Sequence, residues 1–317
     1  MTDERLVLEE KDAGPTLSAV LRRWKDVPWS TAKDWCARGK VTVDGGVVLD
    51  PGSRPRAGAE IVLAINSPSR GAPDALFLDR ARLVHCDAHV VVVDKPPGVN
   101  SVPFEEGERG SLVDRVAAML PRWKLGPPRA PLFVVHRLDR ETSGLLVFGR
   151  SWVAKRHLAS LFRSHDVERL YVAVVQGRLT QPRTFESFLV EDRGDGLRGS
   201  ARTKLGQAQG QRAVTHVRPL LGLKGATLVE CRLETGRQHQ IRIHLSESGF
   251  PVLGDRVYAR GRDDMPPAPR VMLHARTLGF KQPAREDDVV QRFEAAVPAD
   301  IVAVLRGLGF TGDEVPK

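Results

Sequence analysis

The feature that most constrains this chain is a polar loop pinned between two apolar runs. It reads His136-Arg137-Leu138-Asp139-Arg140-Glu141-Thr142-Ser143-Gly144, preceded by Leu132-Phe133-Val134-Val135 and followed by Leu145-Leu146-Val147-Phe148. Short runs rich in Val, Leu and Phe predict buried strands, so the loop is a connection held inside a sheet. Two arginines and two acids on such a scaffold are where binding and catalytic side chains concentrate. Spacing alone leaves two readings open. In one, Asp139 and Thr142 cap backbone amides of a tight turn and Gly144 supplies a positive φ. In the other, the charged side chains face a substrate.

The rest of the chain predicts where that sheet lies. Leu17, Val20, Leu21 and Trp24 recur at helical spacing; Ser30 then caps a second helix with Ala32, Trp35 and Cys36 on its apolar face, ending at Gly39. Val41-Thr42-Val43-Asp44-Gly45-Gly46-Val47-Val48 predicts a hairpin turning at Asp-Gly, and Glu60-Ile61-Val62-Leu63 a further strand. Residues 66–76, rich in Pro, Ser and Gly, read as a linker. A second unit over 77–312 opens with the strand Val90-Val91-Val92-Val93, from which Pro96 and Pro97 force the chain out. Helices are expected over 111–120 and 151–162, and Arg169-Leu170-Tyr171-Val172-Ala173-Val174-Val175 is a strand carrying one tyrosine. Residues 191–212 and 261–270 lack apolar periodicity; the first is expected to be a mobile loop or a long hairpin tip whose bases either stay solvated or touch an anionic partner, the second a mobile loop. Thr235 and Gln238 form a capping-box pattern that opens a helix closing near Gly249. A last helix is expected over 300–308.

Several of these stretches together resemble the RluA-type pseudouridine synthases. The loop fills every fixed position of the pattern His-Arg-Leu-Asp-x-x-Thr-Ser-Gly-Leu-Leu, Lys95-Pro96-Pro97-Gly98 matches Lys-Pro-x-Gly, and the segments 235–244 and 249–258 match Thr-Gly-Arg-x-His-Gln-Ile-Arg-x-His and Gly-x-Pro-x-x-Gly-Asp-x-x-Tyr. Residues 14–65, with Arg38-Gly39-Lys40-Val41-Thr42-Val43-Asp44-Gly45, resemble the alpha-L RNA-binding motif. The resemblance implies an α+β protein: a small alpha-L domain, then a catalytic domain whose mixed, mostly antiparallel sheet is flanked by helices.

It also implies a reaction without cofactor or metal, in which the glycosidic bond of a uridine breaks, the base rotates, and carbon replaces nitrogen at the sugar. The family's nucleophilic aspartate falls on Asp139. A carboxyl group with the ordinary aspartate pKa of ~3.9 is ionised at neutral pH, so such a nucleophile needs no general base. The arginine that pairs with it falls on Arg242, and the active-site ring on Tyr171. Arg137 matches the arginine that fills the space left by the flipped base. In the alpha-L module, Arg22, Arg23, Lys25, Lys33, Arg38 and Lys40 are the expected phosphate contacts. Trp29 stands where that motif often has Ser or Arg.

Charge agrees with an RNA partner. The formal net charge is +9 and the pI about 9.8, and the excess falls beyond residue 66, since acids at Asp3, Glu4, Glu9, Glu10 and Asp12 neutralise the first segment. Cys36, Cys86 and Cys231 form neither a disulfide framework nor a paired zinc motif. The first residues have no apolar signal core and no run reaches the length of a membrane span, so a soluble, cytoplasmic monomer is expected. The alpha-L module points to large-subunit ribosomal RNA as the substrate, with transfer RNA the alternative. A hydrolase using His136 with Asp139 lacks a Gly-x-Ser-x-Gly elbow. A non-catalytic RNA-binding protein would not need Asp139, Tyr171 and Arg242 together.

Overall fold

The structure, a computed structural model, describes residues 4–10, 14–48, 50–65, 76–105, 108–127, 130–262, 264–283 and 289–317. The chain divides into two compact units, Met1–Phe77 and Leu78–Lys317. Apart from Leu76, the expected linker lies outside the described residues.

The first unit holds β1 (Glu4–Val7), α1 (Leu17–Lys25), α2 (Trp29–Ala37), β2 (Val41–Val43), β3 (Gly46–Val47) and β4 (Glu60–Leu63). Thr16 caps α1 by accepting the Ala19 amide at 3.3 Å, and Leu17, Val20, Leu21, Ala32, Cys36, Val41, Ile61 and Leu63 form one buried cluster. Asp44 and Gly45 both take positive φ, 50° and 78°, the geometry that a two-residue hairpin loop requires. Two expectations are corrected. Helix α2 starts at Trp29 after Pro28, so Ser30 lies inside its first turn rather than capping it. Glu4–Val7, ahead of the residues 14–65 assigned to the module, is an edge strand antiparallel to β4. Its four residues, two of them charged, are too short a run to show a period.

The second unit is built on one twisted sheet. Its elements in chain order are β5 (Leu83–Cys86), β6 (Val90–Lys95), α3 (Leu112–Arg122), β7 (Phe133–Val134), β8 (Ser143–Gly149), α4 (Trp152–Ser164), β9 (Glu168–Gln176), β10 (Arg183–Val190), β11 (Gly199–Ser200), α5 (Lys204–Gln209), β12 (Gln211–Leu223), β13 (Ala226–Leu233), α6 (Gln240–Glu247), β14 (Leu273–Lys281), β15 (Val290–Glu294) and α7 (Ala299–Gly307). The strand order is β11-β10-β12-β13-β9-β14-β8-β6-β5, with β15 also on β14 and β7 also on β8. Each described pairing is antiparallel except β14 with β8, which gives the mixed, mostly antiparallel sheet that the resemblance implied.

Burial on both faces explains why β6 and β8 read as unbroken apolar runs. Val91, Val93, Leu146 and Phe148 join the cluster containing Leu112, Val116 and Met119 of α3 and Ile301 and Leu305 of α7. The alternate residues Val90, Val92, Leu145 and Val147 meet Leu158 and Leu161 of α4 instead. Ser111 and Asp114 cap α3, and Ser151 caps α4 by accepting the Ala154 amide at 3.1 Å.

Gly144 lets β14 approach the loop end. Its φ is 113°, and a Cβ there would sit 2.6 Å from the Ala275 amide nitrogen and closer still to its carbonyl oxygen. Left-handed strain alone costs about 1–2 kcal/mol, and the overlap is with backbone that cannot swing aside. Gly144→Ala is therefore expected to lower the melting temperature by at least about 4 °C in a thermal scan, whereas a surface glycine with open space, Gly222, should tolerate alanine.

Other expectations change here. The run at 132–135 yields only the two-residue β7, whose Val134 is exposed, because β14 takes the start of the same β8 edge. Of the two readings of 191–212 the structure has the hairpin tip, β11 returning antiparallel to β10 across a turn in which Asp192 accepts the amides of Gly194 and Gly196, with the helix α5 as an addition. The stretch 261–270 ends in a buried arginine that clamps the core, as described below. Among the described residues no helix is long and apolar enough to cross a membrane.

Candidate active site

The loop between β7 and β8 owes its shape to neighbours that satisfy its backbone. Ser101 answers both polar groups of Leu138, its Oγ accepting the amide at 3.0 Å and donating to the carbonyl at 2.8 Å. Lys95, at the end of β6 and fully buried, donates Nζ to the carbonyls of Pro96, Val99 and Arg140 at 2.8–3.0 Å. Burial pushes the Lys95 ammonium down to about 7, against the opposing pull of Asp139 and Glu141. From the other side Arg270 donates to the Glu141 carbonyl at 3.1 Å and to Ser143 Oγ at 3.2 Å, while two bonds at 2.6 and 2.9 Å hold it to Asp300. The turn itself closes from the Thr142 amide to the Asp139 carbonyl at 3.1 Å. With the backbone satisfied in this way, no described amide binds the Asp139 carboxylate, which is free to face the cleft.

That cleft has a volume of about 330 Å³ and brings Asp139, Arg137, Tyr171 and Arg242 together. Asp139 Oδ2 lies 3.5 Å from Arg242 Nη1, and Oδ1 lies 3.9 Å from His239 Nε2. Arg242 has closer partners: Nε and Nη2 donate to the two oxygens of Asp255 at 2.7 and 2.8 Å. The Asp255 side chain is 0% exposed and also accepts the amides of Val257 and Tyr258 at 3.0 Å. Burial would raise its carboxyl pKa, but the Arg242 bonds outweigh that and hold it below the ordinary range. Arg242 is thus fixed by Asp255 and presents its remaining donor to Asp139. Its guanidinium also covers the Tyr258 ring, 5.0 Å from the centroid.

His239 completes this end of the cleft. It takes a left-handed φ of 58° just before α6, and its Nδ1 bonds Tyr258 Oη at 2.8 Å. Burial lowers its pKa, with Asp139 pulling the other way. Helix α6 therefore starts five residues after Thr235, later than the capping-box spacing predicts. Thr235 bonds Gln240 at 2.8 Å and the Val214 amide at 2.8 Å instead, a tertiary arrangement that local spacing does not encode. His244, on the same helix, points to Thr215 and Ser187 at 2.9 and 3.0 Å, so the two histidines serve separate places.

Tyr171 comes from the middle of β9 and is mostly buried, and burial pushes its hydroxyl up to about 12. It is therefore a neutral phenol at physiological pH, and no described residue hydrogen-bonds its oxygen. Arg137 is exposed at the cleft rim and pairs with no described residue. His136 is structural. Its Nε2 accepts the Val147 amide at 3.0 Å, its ring stacks on Phe162, and burial drives its pKa to about 3. With that lone pair engaged, His136 cannot serve as the base that a hydrolase would need.

In the first unit, the expected RNA contacts lie on α1, on α2 and in the turn from α2 to β2. Arg22, Arg23 and Lys33 are exposed, Arg22 over the half-exposed Trp29 ring at 5.2 Å from the centroid. Lys25 pairs with Glu4, Arg38 with Asp34 at 2.8 Å, and Lys40 is half-buried. Asp255, His239 and Tyr258 were given no role in the site from the sequence, although His239 is a fixed position of the Thr-Gly-Arg-x-His pattern and Asp255 and Tyr258 of the Gly-Asp-x-x-Tyr pattern.

Comparison with known proteins agrees with this geometry. Residues 89–247 match the family described as RNA pseudouridylate synthase. The chain is 34% identical over 284 residues to ribosomal large subunit pseudouridine synthase D of Pseudomonas aeruginosa, covering 86% of this chain and 84% of the relative. To the protein of that name in Xanthomonas campestris it is 32% identical over 316 residues, covering 95% and 91%. Among solved structures, human RNA pseudouridylate synthase domain containing 4 superimposes with a TM-score of 0.58 at 25% identity, covering 72% of this chain and 93% of the other. The chain belongs to the RNA pseudouridylate synthase family. Within it, this is an RluA-type enzyme that isomerises uridine to pseudouridine in RNA.

Proposed function

We propose that the enzyme acts on one or more uridines of large-subunit ribosomal RNA in the cytoplasm, as a monomer, with Asp139 as nucleophile. The observation that carries the catalytic part is the Asp139 carboxylate, free of backbone duties and set against Arg242 in a cleft lined by five arginines and, among the described residues, no other carboxylate. Asp139 attacks the nucleoside and the C1′–N1 bond breaks. The base turns and C5 joins C1′, with the bond to Asp139 breaking to return the carboxylate, and the C5 proton is lost as N1 regains one. Arg242, locked by Asp255, keeps the carboxylate aimed without neutralising it through a short pair. Tyr171 forms the ring beneath the flipped uracil. Extrusion of the base costs a few kcal/mol, and Arg137, unpaired at the rim, occupies the vacated stack. The names of the relatives support the ribosomal substrate.

In this reading the first unit is an alpha-L module whose bases hold RNA backbone. The test is tritium release from RNA carrying C5-tritiated uridine. Large-subunit rRNA should turn over readily and bulk tRNA should not; the reverse result would make this a tRNA enzyme. Substituting Arg22, Arg23 and Lys33 together by Gln should weaken rRNA binding and reduce the log–log salt slope by about 2–3. An unchanged slope would remove the module from the RNA interface.

A further inference from the structure

Arg169 is the unexplained group in this cleft. It lies two residues before Tyr171 on β9, so both side chains leave the same face about 7 Å apart, the guanidinium beside a base seated on Tyr171 rather than beneath it. The residue is 7% exposed, yet among the described residues it meets no carboxylate. Its one hydrogen bond runs from Nη2 to the Glu234 carbonyl at 2.7 Å, the Phe162 ring lies 5.7 Å beneath it, and Nε is enclosed without a partner. Nη1 has no partner either and is not enclosed, so it opens to the cleft. Of the other buried arginines, Arg242 and Arg270 each grip a carboxylate with two nitrogens, and Arg276 donates to the Pro316 carbonyl at 2.7 Å away from this cleft.

Gly236 supplies a second, independent observation. It has no left-handed φ, so backbone conformation does not require glycine there. A Cβ at that position would overlap Arg169 Nη1. The glycine of the Thr-Gly-Arg stretch thus keeps the accessible unsatisfied donor of this guanidinium uncovered.

An unpaired buried cation is costly unless an anion arrives to meet it. Arg137, Arg163 and Arg237 line the same cleft, so the missing anion comes from the ligand. RNA offers a charged oxygen in its phosphodiesters, whereas the uracil carbonyls are neutral. We infer that Arg169 Nη1 holds a phosphodiester of the target nucleotide or its immediate neighbour and so fixes the strand beside Tyr171. The inference rests on the reading that this cleft seats the target uridine.

The experiment uses the full-length enzyme and an rRNA fragment bearing the uridine that the wild type modifies. Single methylphosphonates replace the phosphodiesters around that uridine, one at a time. Arg169→Gln should lower kcat/KM by about 30–100-fold, Arg169→Lys by less, with melting temperatures recorded on the same samples. At one position the methylphosphonate should cost the wild type a similar factor and cost Arg169→Gln nothing further. Gly236→Ala, which keeps the arginine but displaces Nη1, should show the same insensitivity at that position. Additive losses at every position would overturn the phosphate site, as would an Arg169 effect that vanishes with 4-thiouridine in place of the target base. If Asp139→Asn were also active on this fragment, the failure would lie with the cleft assignment and not with Arg169 alone.

Discussion

Arg242→Met is expected to destabilise the catalytic unit by about 3–5 kcal/mol and to abolish turnover. The large figure comes from what the substitution leaves behind. Asp255 is fully enclosed, and its two shortest side-chain bonds both come from Arg242. Without that cation, burial dominates and pushes the carboxyl pKa up. The pH dependence then changes sign. In the wild type the Asp255 pKa is depressed, so its contribution is present above the ordinary carboxyl pKa and is lost as pH falls through the folded value. In Arg242→Met the raised pKa means the native state binds the proton more tightly, and the contribution of this group grows as pH falls. Thermal melts between pH 4 and 7 separate the two signs. Arg242→Met with Asp255→Leu should recover most of the stability, because removing both charges removes the burial penalty. It should recover none of the activity, because Asp139 would still lack its positioning cation. A double variant as unstable as the single one would show that the pair is not what Arg242 supports.

The apolar skeleton was legible in the sequence because its constraints are local. The unbroken runs at 90–93 and 145–148 mark strands buried on both faces, and Asp44-Gly45 marks a hairpin by its need for two positive φ angles. Asp139, Tyr171 and Arg242 were found through motif resemblance, and the structure brings them into one cleft. What escaped depends on partners distant in the chain. Arg270 closes a stretch without periodicity, yet it clamps Glu141, Ser143 and Asp300 across the core. The two-residue β11 exists because β10 pairs with it across a turn that Asp192 closes, and the short α5 because Thr203 caps it, neither through any strong propensity of its own. Asp255, closer to Arg242 than Asp139 is, lay in a motif whose sequence gives no pairing distances. The start of α6 moved because His239 adopts a left-handed conformation and bonds Tyr258, a contact that spacing cannot forecast.

The central claim is that Asp139 reacts with the nucleoside and does not merely shape a turn. Asp139→Asn tests it, because asparagine keeps the size of the side chain and an oxygen able to accept from Arg242 while removing the charge. The backbone of the loop is held by Ser101, Lys95 and Arg270, none of which touches the carboxylate, so the fold should survive. As a helix or turn cap, asparagine serves about as well as aspartate. Tritium release from C5-labelled uridine in rRNA, measured beside thermal stability and RNA binding on one preparation, distinguishes the two roles. The nucleophile reading predicts a loss of at least about ten-thousand-fold in turnover, with melting temperature and affinity near those of the wild type. Turnover within reach of the wild type would contradict it and return Asp139 to the role of a structural turn residue.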